Sequence, residues 1–462
     1  MTHAAEVSAA GTARSLDELP PVPVNPLPFR RQLQAIRAFH TGVEQLRDAG
    51  GPVTRLKVGP RWLTPPVVVV TSPQGAHDVL TADRSATDRM RVHQEVRGVL
   101  GANLFVLPNE PWAPRRRLLQ PLFTKKAVRV FGGHMAQAAE MVGGRWGDAA
   151  LVDLDHESRL LTLRALGRSV LGEDLDAHAD EVGEALRTAL TYAADRGARP
   201  VRAPRWLPTP ARRRARAASR TLHAMAAGPL RACRADDTRD APLVRALLDA
   251  TDPQTGRALT DDEIADELLV FMLAGHDTTA TTLAYALWAM GRHRDMADRV
   301  RAEAAAVGDR ELTPDDVPHL PYTVQVLHES LRLCPPASTT GRMVVRDIEV
   351  DGHRVEAGSI IVVGIYALHR DPALWDNPAE FDPDRFAPDR SAGRSRWQYL
   401  PFGAGARSCI GDHFAMLEAT LALATLLRRY DIESLGEEFP MAVPFTTVAA
   451  EPVLGRVRLR ST

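Results

Sequence analysis

The stretch Phe402-Gly403-Ala404-Gly405-Ala406-Arg407-Ser408-Cys409-Ile410-Gly411 decides how this chain folds and what it holds. A helical pattern, Asp412 to Tyr430, follows it directly. At a helix start, the macrodipole and the free backbone N–H groups favour the thiolate form of Cys409. The glycines let backbone amides approach the sulfur closely, and Arg407 supplies a cation for an anionic cofactor. We therefore predict a metal-ligating cysteine; the alternative is a buried, inert one.

This stretch reads F-x-x-G-x-R-x-C-x-G and resembles the haem-binding loop of the cytochrome P-450 family. The resemblance implies haem b (iron protoporphyrin IX) with Cys409 as its axial thiolate and metal ligand, and with Phe402 and Gly411 beside the haem. No C-x-x-C-H is present, so the haem would be held without covalent attachment. The resemblance also implies the family's fold, which is mainly α with small β-sheets and has a long central helix over the haem.

Bulk composition excludes several classes of protein. The chain has 462 residues, 45% hydrophobic and 25% charged, which excludes disordered and collagen-like chains. A formal net charge of −1 gives no reason to expect nucleic acid as a partner. Three scattered cysteines fit a reducing cytoplasm. No apolar run approaches the ~20 residues of a membrane span, so we expect a cytoplasmic protein with no membrane span.

The chain shows no internal repeat and no Gly- or Ser-rich linker. The Ala- and Pro-rich residues 1–30 predict a mobile tail, and 31–462 one large haem-thiolate monooxygenase domain. Helical patterns dominate this domain. Strands are predicted at Thr54–Val58 and Val67–Thr71, at Ile348–Val350 and His353–Val355 around an Asp-Gly turn, at Ser359–Val363, and in a last hairpin within Thr446–Leu459.

A long helix is predicted from a capping box at Thr260-Asp261-Asp262-Glu263 to about Arg292. Its middle, Leu268–Leu273, is apolar on all sides and must be buried. The next residues, Ala274-Gly275-His276-Asp277-Thr278-Thr279, weaken the helix, because glycine and consecutive threonines are poor helix formers. A charge and an alcohol at a weak point of a core helix need a functional reason.

The segment from Ala274 to Thr279 resembles the A-G-x-D/E-T-T segment of the same family. The resemblance implies two catalytic residues: Thr278, which would hydrogen-bond the iron-bound oxygen species, and Asp277, which would relay protons to it. Gly275 would leave room for dioxygen beside the haem. The alternative is a hydrogen-bonded polar bend with no chemistry.

Two further motifs complete the resemblance. Glu329 and Arg332 form E-x-x-R on one helix face, and the string Phe381-Asp382-Pro383-Asp384-Arg385-Phe386 resembles the segment whose arginine, here Arg385, completes a buried structural Glu–Arg–Arg network. The other motif, Trp112-Ala113-Pro114-Arg115-Arg116, places its first and last residues on one helix face.

Arginines can clamp the two haem propionates in bidentate fashion. By resemblance Trp112 and Arg116 would bind the propionates, joined by Arg407 and by Arg342. For Arg342 the alternative is a solvated charge on a strand.

Two basic regions have no assigned role. One comprises Arg115, Arg117, Lys125, Lys126 and Arg129. It is either ordinarily solvated or a docking patch for an acidic electron donor. The chain has no room for a fused flavin or iron–sulfur module, so we expect a separate ferredoxin or flavodoxin with its NAD(P)H reductase. The other region, Arg196 to Arg220, can contact a membrane surface; we favour a solvated loop between two lid helices.

The motifs together predict a haem-thiolate monooxygenase that inserts one oxygen atom from O2 into a mid-sized hydrophobic substrate, with a terpenoid or other secondary metabolite favoured. Its predicted pocket walls are small, apolar or hydroxylated: Phe105, Val106, Phe271, Ala274, Thr339, Thr340, Thr447 and Val448. A fatty-acid hydroxylase, a peroxide-using haem enzyme, and a non-catalytic binding or recruitment module of the same fold stay open as alternatives.

Overall fold

Helices dominate the architecture. The computed structural model describes residues 15–60, 62–175, 178–199, 201–204 and 206–460. Its helices are α1 (Phe29–Arg37), α2 (Phe39–Gly50), α3 (Pro73–Thr81), α4 (Arg91–Leu100), α5 (Asn109–Leu119), α6 (Gly132–Gly143), α7 (Leu154–Leu166), α8 (Ala179–Ala198), α9 (Pro210–Ala235), α10 (Pro242–Asp249), α11 (Asp261–Met290), α12 (Arg294–Ala306), α13 (Pro321–Leu333), α14 (Ile365–Leu368), α15 (Pro388–Ser391) and α16 (Asp412–Arg429).

The strands form small sheets. They are β1 (Val53–Leu56), β2 (Val67–Val70), β3 (Thr87–Asp88), β4 (Leu151–Asp153), β5 (Thr340–Val344), β6 (Ile348–Val350), β7 (His353–Val355), β8 (Ile360–Val363), β9 (Tyr430–Ser434), β10 (Met441–Ala442), β11 (Val448–Ala449) and β12 (Leu454–Leu459). The largest sheet has the order β1-β2-β8-β5-β3, with β2 and β8 parallel and the other pairs antiparallel. The antiparallel sheet β4-β12-β9 and the pairs β6-β7 and β10-β11 complete the set.

The first two predicted hairpins are confirmed, and the last one is wrong. β1 pairs with β2, and β6 pairs with β7 through Asp351 and Gly352, both at positive φ (49° and 75°) as a tight hairpin turn requires. Near the C-terminus, however, β11 pairs with β10, whereas β12 pairs with β9 and β4. The two-residue β11 is too short to match the six-residue β12, and Pro452 between them lacks a backbone donor.

Part of the predicted mobile tail is packed onto the fold. Leu19, Val22 and Asn25 are buried. The backbone N–H of Asn25 donates to the Arg55 carbonyl at 2.8 Å, and its side chain donates to the Leu46 carbonyl at 2.8 Å. The chain is therefore anchored well before residue 30, because its apolar side chains find a groove beside β1. Residues 1–14 of the predicted tail lie outside the described residues.

The long helix α11 forms the centre of the molecule. The capping box is present: Thr260 Oγ1 accepts from the Glu263 N–H at 3.3 Å, and Glu263 accepts from the Thr260 N–H at 3.0 Å. The apolar middle is buried as predicted. The helix continues through Ala274–Thr279 without interruption and ends at Met290, and it packs against α7, α9, α13 and α16. Because α16 follows the cysteine loop directly, this packing fixes the loop relative to α11.

Candidate active site

The cysteine loop has a left-handed backbone, which favours glycine, at two positions. Gly403 and Gly405 have φ of 65° and 71°. A Cβ at Gly405 would lie 1.9 Å from the Leu80 carbonyl oxygen, so α3 approaches the loop too closely for any side chain. The Cys409 N–H donates to the Phe402 carbonyl at 2.8 Å, which closes the loop just before α16. The sulfur is thus presented by a rigid turn.

The Cys409 side chain is exposed to solvent, yet dense protein surrounds it on its other sides. Burial raises the pKa of the thiol to about 11, while the Gly411 N–H and the Arg116 cation act in the opposite direction. This differs from the prediction that the helix start alone favours the thiolate. A cation at the sulfur is needed to hold the charged form at neutral pH, and a ligated metal supplies one.

Arginines without matching carboxylates lie close to this loop. Arg407 donates to the Leu107 carbonyl at 2.9 Å, and its guanidinium lies 4.2 Å from the ring centroid of the buried Trp112. Burial, then repulsion from Arg342, lowers the pKa of Arg407 to about 9. Arg342 is only 6% exposed, so the solvated alternative for it is wrong, and burial lowers its pKa to about 10. The nearest carboxylate to Arg407 is that of Asp88, at 3.9 Å.

Arg89 and His93 lie close to Arg342 and Arg407, and the sequence analysis did not single them out. Arg89 has a buried Nε with no hydrogen-bond partner, and its pKa is lowered well below the usual value by burial, then by repulsion from Arg407 and Arg342. His93 is buried 3.5 Å from the Arg89 guanidinium, and burial lowers its pKa well below the usual value. No motif marks either residue: Arg89 precedes α4, and His93 lies in its first turn.

This arrangement fits an anionic, metal-containing group. Three arginines that repel one another, Arg89, Arg342 and Arg407, are stable together only if an anion joins them. Burial raises the pKa of the Cys409 thiol, so a cation beside the sulfur is needed to stabilise the thiolate. A haem satisfies both, since its propionates are anionic and its iron is cationic. Arg116 takes a different position from the cluster: it donates to the Ser408 carbonyl at 3.1 Å and so braces the cysteine loop.

One face of α11 opens where the rest of the helix is buried. Ala274 is exposed and Thr278 is partly exposed, one turn apart. The Thr278 hydroxyl donates to the Ala274 carbonyl at 2.6 Å, as predicted for a threonine in a helix. Gly275 is close to this face, but a Cβ there would lie 2.7 Å from the Leu166 side chain. The glycine thus permits the close packing of α11 on α7, and its role of making room for dioxygen stays a prediction.

The predicted acid, Asp277, is buried and held by a residue that sequence reasoning missed. Arg159 of α7 donates to Asp277 Oδ1 at 2.6 Å and to Asp155 at 2.7 Å. The preceding residue, His276, is buried against Thr162, and burial lowers its pKa to about 4, so it is neutral. The i, i+4 spacing of Asp155 and Arg159 was visible in the sequence, but nothing linked it to α11.

A second acid lies close to Thr279, the residue that follows Thr278 on α11. Glu418 of α16 is completely buried, and burial raises its pKa well above the usual value. The Thr279 hydroxyl, adjacent in sequence to Thr278, acts in the opposite direction. Burial thus favours the protonated form of Glu418, which lies on the helix that follows the cysteine loop. Its sequence gave no signal beyond a lone Glu in an apolar helix.

The structure brings Glu329, Arg332 and Arg385 together. Both carboxylate oxygens of Glu329 accept from Arg332 at 2.7 Å, and Arg385 Nε lies 3.3 Å from Glu329. All three side chains are buried. The two arginines also donate to backbone carbonyls of the coil between α14 and the cysteine loop: His369, Asp376, Asn377, Pro378 and Glu380. This network fixes the coil that leads to Cys409.

The predicted pocket walls separate into two groups. Ala274 is exposed, and four others are partly exposed: Phe105, Thr339, Thr340 and Val448. The remaining three are buried in the core. They are Val106, Phe271, which packs its ring 4.9 Å from that of Phe123, and Thr447, whose hydroxyl donates to the Pro335 carbonyl at 2.7 Å. For these three, as for the other five, the assignment to the pocket stays a prediction.

Phe445, not predicted, lies 6.2 Å from Phe105 between ring centroids and is partly exposed. The two rings meet edge to face across a long sequence separation. They bring the loop before α5 and the C-terminal loop together at the pocket.

The predicted basic docking patch is smaller than the sequence indicated. Arg115 is buried and bonds to Glu267 at 2.7 Å, so it does not belong to the surface. Arg117 pairs with Asp252 at 3.0 Å, and Arg129 pairs with Asp315. The exposed lysines Lys125 and Lys126 remain as its free charges.

In the described ranges, no helix combines the length and apolar character needed to cross a membrane.

Comparisons with known proteins agree with this geometry. The family model described as "Cytochrome P450" matches residues 20–457. Cyclooctatin synthase of Streptomyces melanosporofaciens is 34% identical, covering 83% of each chain. Cyclooctat-9-en-7-ol 5-monooxygenase of the same organism is 32% identical over 87% of this chain and 85% of its own. Pentalenene oxygenase of Streptomyces avermitilis is 32% identical over 83% and 85%. The haem domain of cytochrome P450DA superposes with a TM-score of 0.85 at 26% identity, covering 96% of this chain and 98% of that one.

Proposed function

The chain belongs to the cytochrome P450 family and is a monooxygenase of that family, and we propose that Cys409 ligates its haem and that its substrate is a terpenoid. The predicted mainly helical P450 fold with small β-sheets is confirmed. The observation that carries the site assignment is the pairing of an accessible thiol whose pKa is raised with a cluster of three arginines that has one nearby carboxylate, Asp88.

The residues that would hold the haem follow from this pairing. Cys409 would ligate the iron, and Arg89, Arg342 and Arg407 would hold the propionates, with Trp112 stacked beneath Arg407. Phe402 and Gly411 flank the sulfur in the loop. When bound, a thiolate-ligated haem supplies the oxygen activation, because the thiolate pushes electron density toward the iron and favours O–O cleavage.

The chain's own residues would manage protons. The Thr278 hydroxyl lies on the open face and can exchange its bond to the Ala274 carbonyl for one to a polar group in the site. Asp277 can turn from Arg159 toward the open face, and burial favours the protonated form of Glu418. These three groups are close in sequence or packing to the same turn of α11, so proton delivery is the role that we assign to them.

The pocket walls support a hydrophobic substrate. The partly exposed side chains Phe105, Phe445, Val448 and Ala274 are apolar, and Thr339 and Thr340 offer neutral hydroxyls. The named activities of the three bacterial relatives are those of terpenoid-modifying enzymes. A mid-sized terpenoid therefore suits the site better than a charged metabolite. Electrons would come from a separate ferredoxin or flavodoxin with its NAD(P)H reductase, for which Lys125 and Lys126 offer an electrostatic contact.

The test starts with the absorption spectrum of the reduced, carbon monoxide-bound protein beside that of Cys409→Ser. A red-shifted Soret band that the mutant lacks supports thiolate ligation by Cys409. A spectrum indifferent to Cys409 refutes the site and leaves the binding-module alternative.

Substrate class is tested next by titrating terpenoid alcohols and hydrocarbons against medium-chain fatty acids and recording the spin-state shift. A shift with fatty acids alone contradicts the terpenoid proposal. Turnover supported by hydrogen peroxide as efficiently as by a ferredoxin system contradicts the proton-delivery roles of Asp277 and Thr278.

A further inference from the structure

The loop of residues 101–107 joins α4 to α5 and carries Phe105, which we assign to the pocket. Phe105 is partly exposed, while Leu104 and Val106 on either side of it are buried. A ring between two buried neighbours moves mainly with the backbone that carries it. Whatever fixes the backbone of this loop therefore also fixes the position of the Phe105 ring.

Two adjacent acids of α11 bind that backbone. Asp266 accepts from the Ala102 N–H at 2.6 Å, and Glu267 Oε2 accepts from the Leu104 N–H at 3.1 Å. The loop has no charged side chain of its own. The two acids therefore hold the loop at the residues just before Phe105.

Glu267 is completely buried, and each of its oxygens has its own donor. Oε2 takes the Leu104 N–H, and Oε1 accepts from Arg115 of α5 at 2.7 Å. The other terminal nitrogen of Arg115 donates to Glu263 at 2.5 Å. Because Glu263 already balances the charge of Arg115, the arginine does not need a second carboxylate for neutrality. What Glu267 adds is a second acceptor oxygen, and the loop uses it.

The ring of Phe105 is surrounded by aromatic and cationic side chains. Between centroids it lies 5.1 Å from the His93 ring and 6.2 Å from the Phe445 ring, and the Arg89 guanidinium lies 5.4 Å from its centre. Such contacts accept a wider range of geometries than a hydrogen bond to a backbone amide does. The position of the ring therefore depends on the bond at Leu104.

The same helix carries the open face. Glu267 lies seven residues before Ala274, which is two turns, or about 10 Å, along α11. The helix is uninterrupted between them. A single rigid element therefore holds both the loop with Phe105 and the face that bears Thr278.

We propose that Glu267 is a positioning residue for the substrate: with Asp266 it holds the loop 101–107 and so fixes the Phe105 ring relative to the open face of α11. The effect on substrate rests on the proposed function; the hold on the loop does not. The competing role is structural only, in which Glu267 joins α5 to α11 through Arg115 and has no influence on Phe105.

The first measurement is hydrogen exchange of residues 101–107 in the full-length, haem-loaded protein and in Glu267→Gln. Burial raises the pKa of Glu267 to about 7, against the opposing effect of Arg115 and the Leu104 N–H, so a buffer at about pH 8 favours the carboxylate. Glutamine has one acceptor oxygen, which Arg115 takes, and its NH2 group then faces the Leu104 N–H. We expect protection of the loop to fall by about tenfold or more, as for one lost hydrogen bond to a charged group.

Asp316→Asn is the matched control. Asp316 is buried in the turn before α13, accepts from the Thr313 N–H at 2.8 Å and pairs with Arg310 at 2.5 Å. The control thus loses a carboxylate held by the same two kinds of donor. Exchange of residues 101–107 should stay within about twofold of the native protein, because distant sites act independently.

The second measurement compares imidazole with 4-phenylimidazole, which both bind haem iron through a ring nitrogen and differ by one phenyl group. The ratio of their dissociation constants isolates the contact of that phenyl group with the pocket. We expect Glu267→Gln to change this ratio about fivefold, in the same direction as Phe105→Ala does. Asp316→Asn should leave the ratio unchanged.

A double-mutant cycle separates positioning from a general effect on the fold. Glu267→Gln added to Phe105→Ala should change the ratio no further, because residues that act through one another are not additive. Asp266→Asn, at a partly exposed position, gives the same cycle without altering the pair of Arg115 and Glu267, and it decides the proposal if Glu267→Gln does not fold.

Unchanged exchange of residues 101–107 in Glu267→Gln overturns the hold on the loop. Additive effects of Glu267→Gln and Phe105→Ala on the ratio, or equal changes in both dissociation constants, overturn the positioning role and leave the structural one. A native protein without the red-shifted carbon monoxide band counts against the proposed function instead. The exchange measurement does not depend on that band and still decides whether Glu267 holds the loop.

Discussion

Arg159 of α7 bonds the buried Asp277 of α11 at 2.6 Å and so connects the acid of the acid–alcohol pair to a second helix. Because Arg159 also bonds Asp155 at 2.7 Å, the guanidinium has a second carboxylate to remain with when Asp277 turns away. Thr278, the next residue, lies on the open face of the same helix. Asp277 therefore connects the protein interior to the open face, which is the position a proton relay requires.

Asp277→Asn should lower turnover while leaving the haem site intact. The amide keeps the shape and can still contact Arg159, but it cannot carry a proton, so we expect a loss of about 10²-fold in kcat, within the usual range for a general acid or base. The carbon monoxide spectrum and the spin-state response to substrate should not change. Asp155→Asn is the matched control, because it shares Arg159 and lies off α11; a comparable loss there would show that the salt bridge matters only for structure.

Asp266→Ala should weaken substrate binding without changing the haem. Asp266 accepts from the Ala102 N–H at 2.6 Å and so holds the loop that carries Phe105. A Cβ on Gly101 would lie 1.9 Å from the same carboxylate, which shows how closely the loop approaches α11. We expect the substrate dissociation constant to rise by about tenfold or more, because a lost hydrogen bond to a charged group costs about 1.5–3 kcal/mol. Asp262→Ala, exposed on the same helix, should have no effect in the same spin-state titration.

His223 should make stability depend on pH. Its Nε2 lies 3.5 Å from Asp266, and hydrogen bonding to that carboxylate raises the pKa of His223 above its ordinary value of 6.5. A raised histidine pKa adds stability that is fully present below about pH 6 and is lost as pH rises through the folded-state pKa. The Tm difference between the native protein and His223→Gln should therefore be largest near pH 5.5 and vanish by about pH 8. A difference that grows with pH would reverse the sign and contradict the assignment.

Arg332→Leu should destabilise the fold strongly. It leaves the buried Glu329 carboxylate without its bidentate partner and frees carbonyls in the coil that leads to Cys409. Removing one partner of a buried pair typically costs about 3–5 kcal/mol. Urea unfolding and the haem content of the purified protein measure it. The exposed pair Arg299–Asp384 provides the control, since Arg299→Gln should cost about 0–1 kcal/mol. Equal losses in the free energy of unfolding for Arg332→Leu and Arg299→Gln would mean that the buried network stabilises the fold no more than an exposed ion pair does.

Motifs predicted the parts of the site whose chemistry is local in sequence. The cysteine loop, the capping box of α11 and the pairing of Glu329 with Arg332 all depend on residues within a few positions of one another. Each has a fixed geometry that the sequence expresses directly. The β6-β7 hairpin was predictable for the same reason, because Asp351 and Gly352 adopt the positive φ that its turn demands.

What the sequence did not reveal depends on packing between distant elements. Arg159 meets Asp277 across 118 positions, and no motif records that contact. The close contact of Gly275 with α7 is one such case, and the burial of Arg115 by its ion pair with Glu267 of α11 is another. Thr447 was assigned to the pocket from its position near the C-terminus, whereas its hydroxyl bonds the Pro335 carbonyl. Such partners become visible only when the fold brings the elements together.

Arg89→Met should weaken haem binding but not the protein without haem. The Nε of Arg89 has no hydrogen-bond partner, and burial together with repulsion from Arg407 and Arg342 outweighs the attraction of Asp88, so the apoprotein gains little from the charge. Methionine keeps most of the volume without the charge. We expect the urea midpoint of the apoprotein to stay the same or to rise, and haem transfer to apomyoglobin to become about tenfold faster, equivalent to about 1.4 kcal/mol. A variant that destabilises the apoprotein and leaves haem transfer unchanged would show that Arg89 is a structural residue, and the cationic cluster would then lose its role as the propionate site.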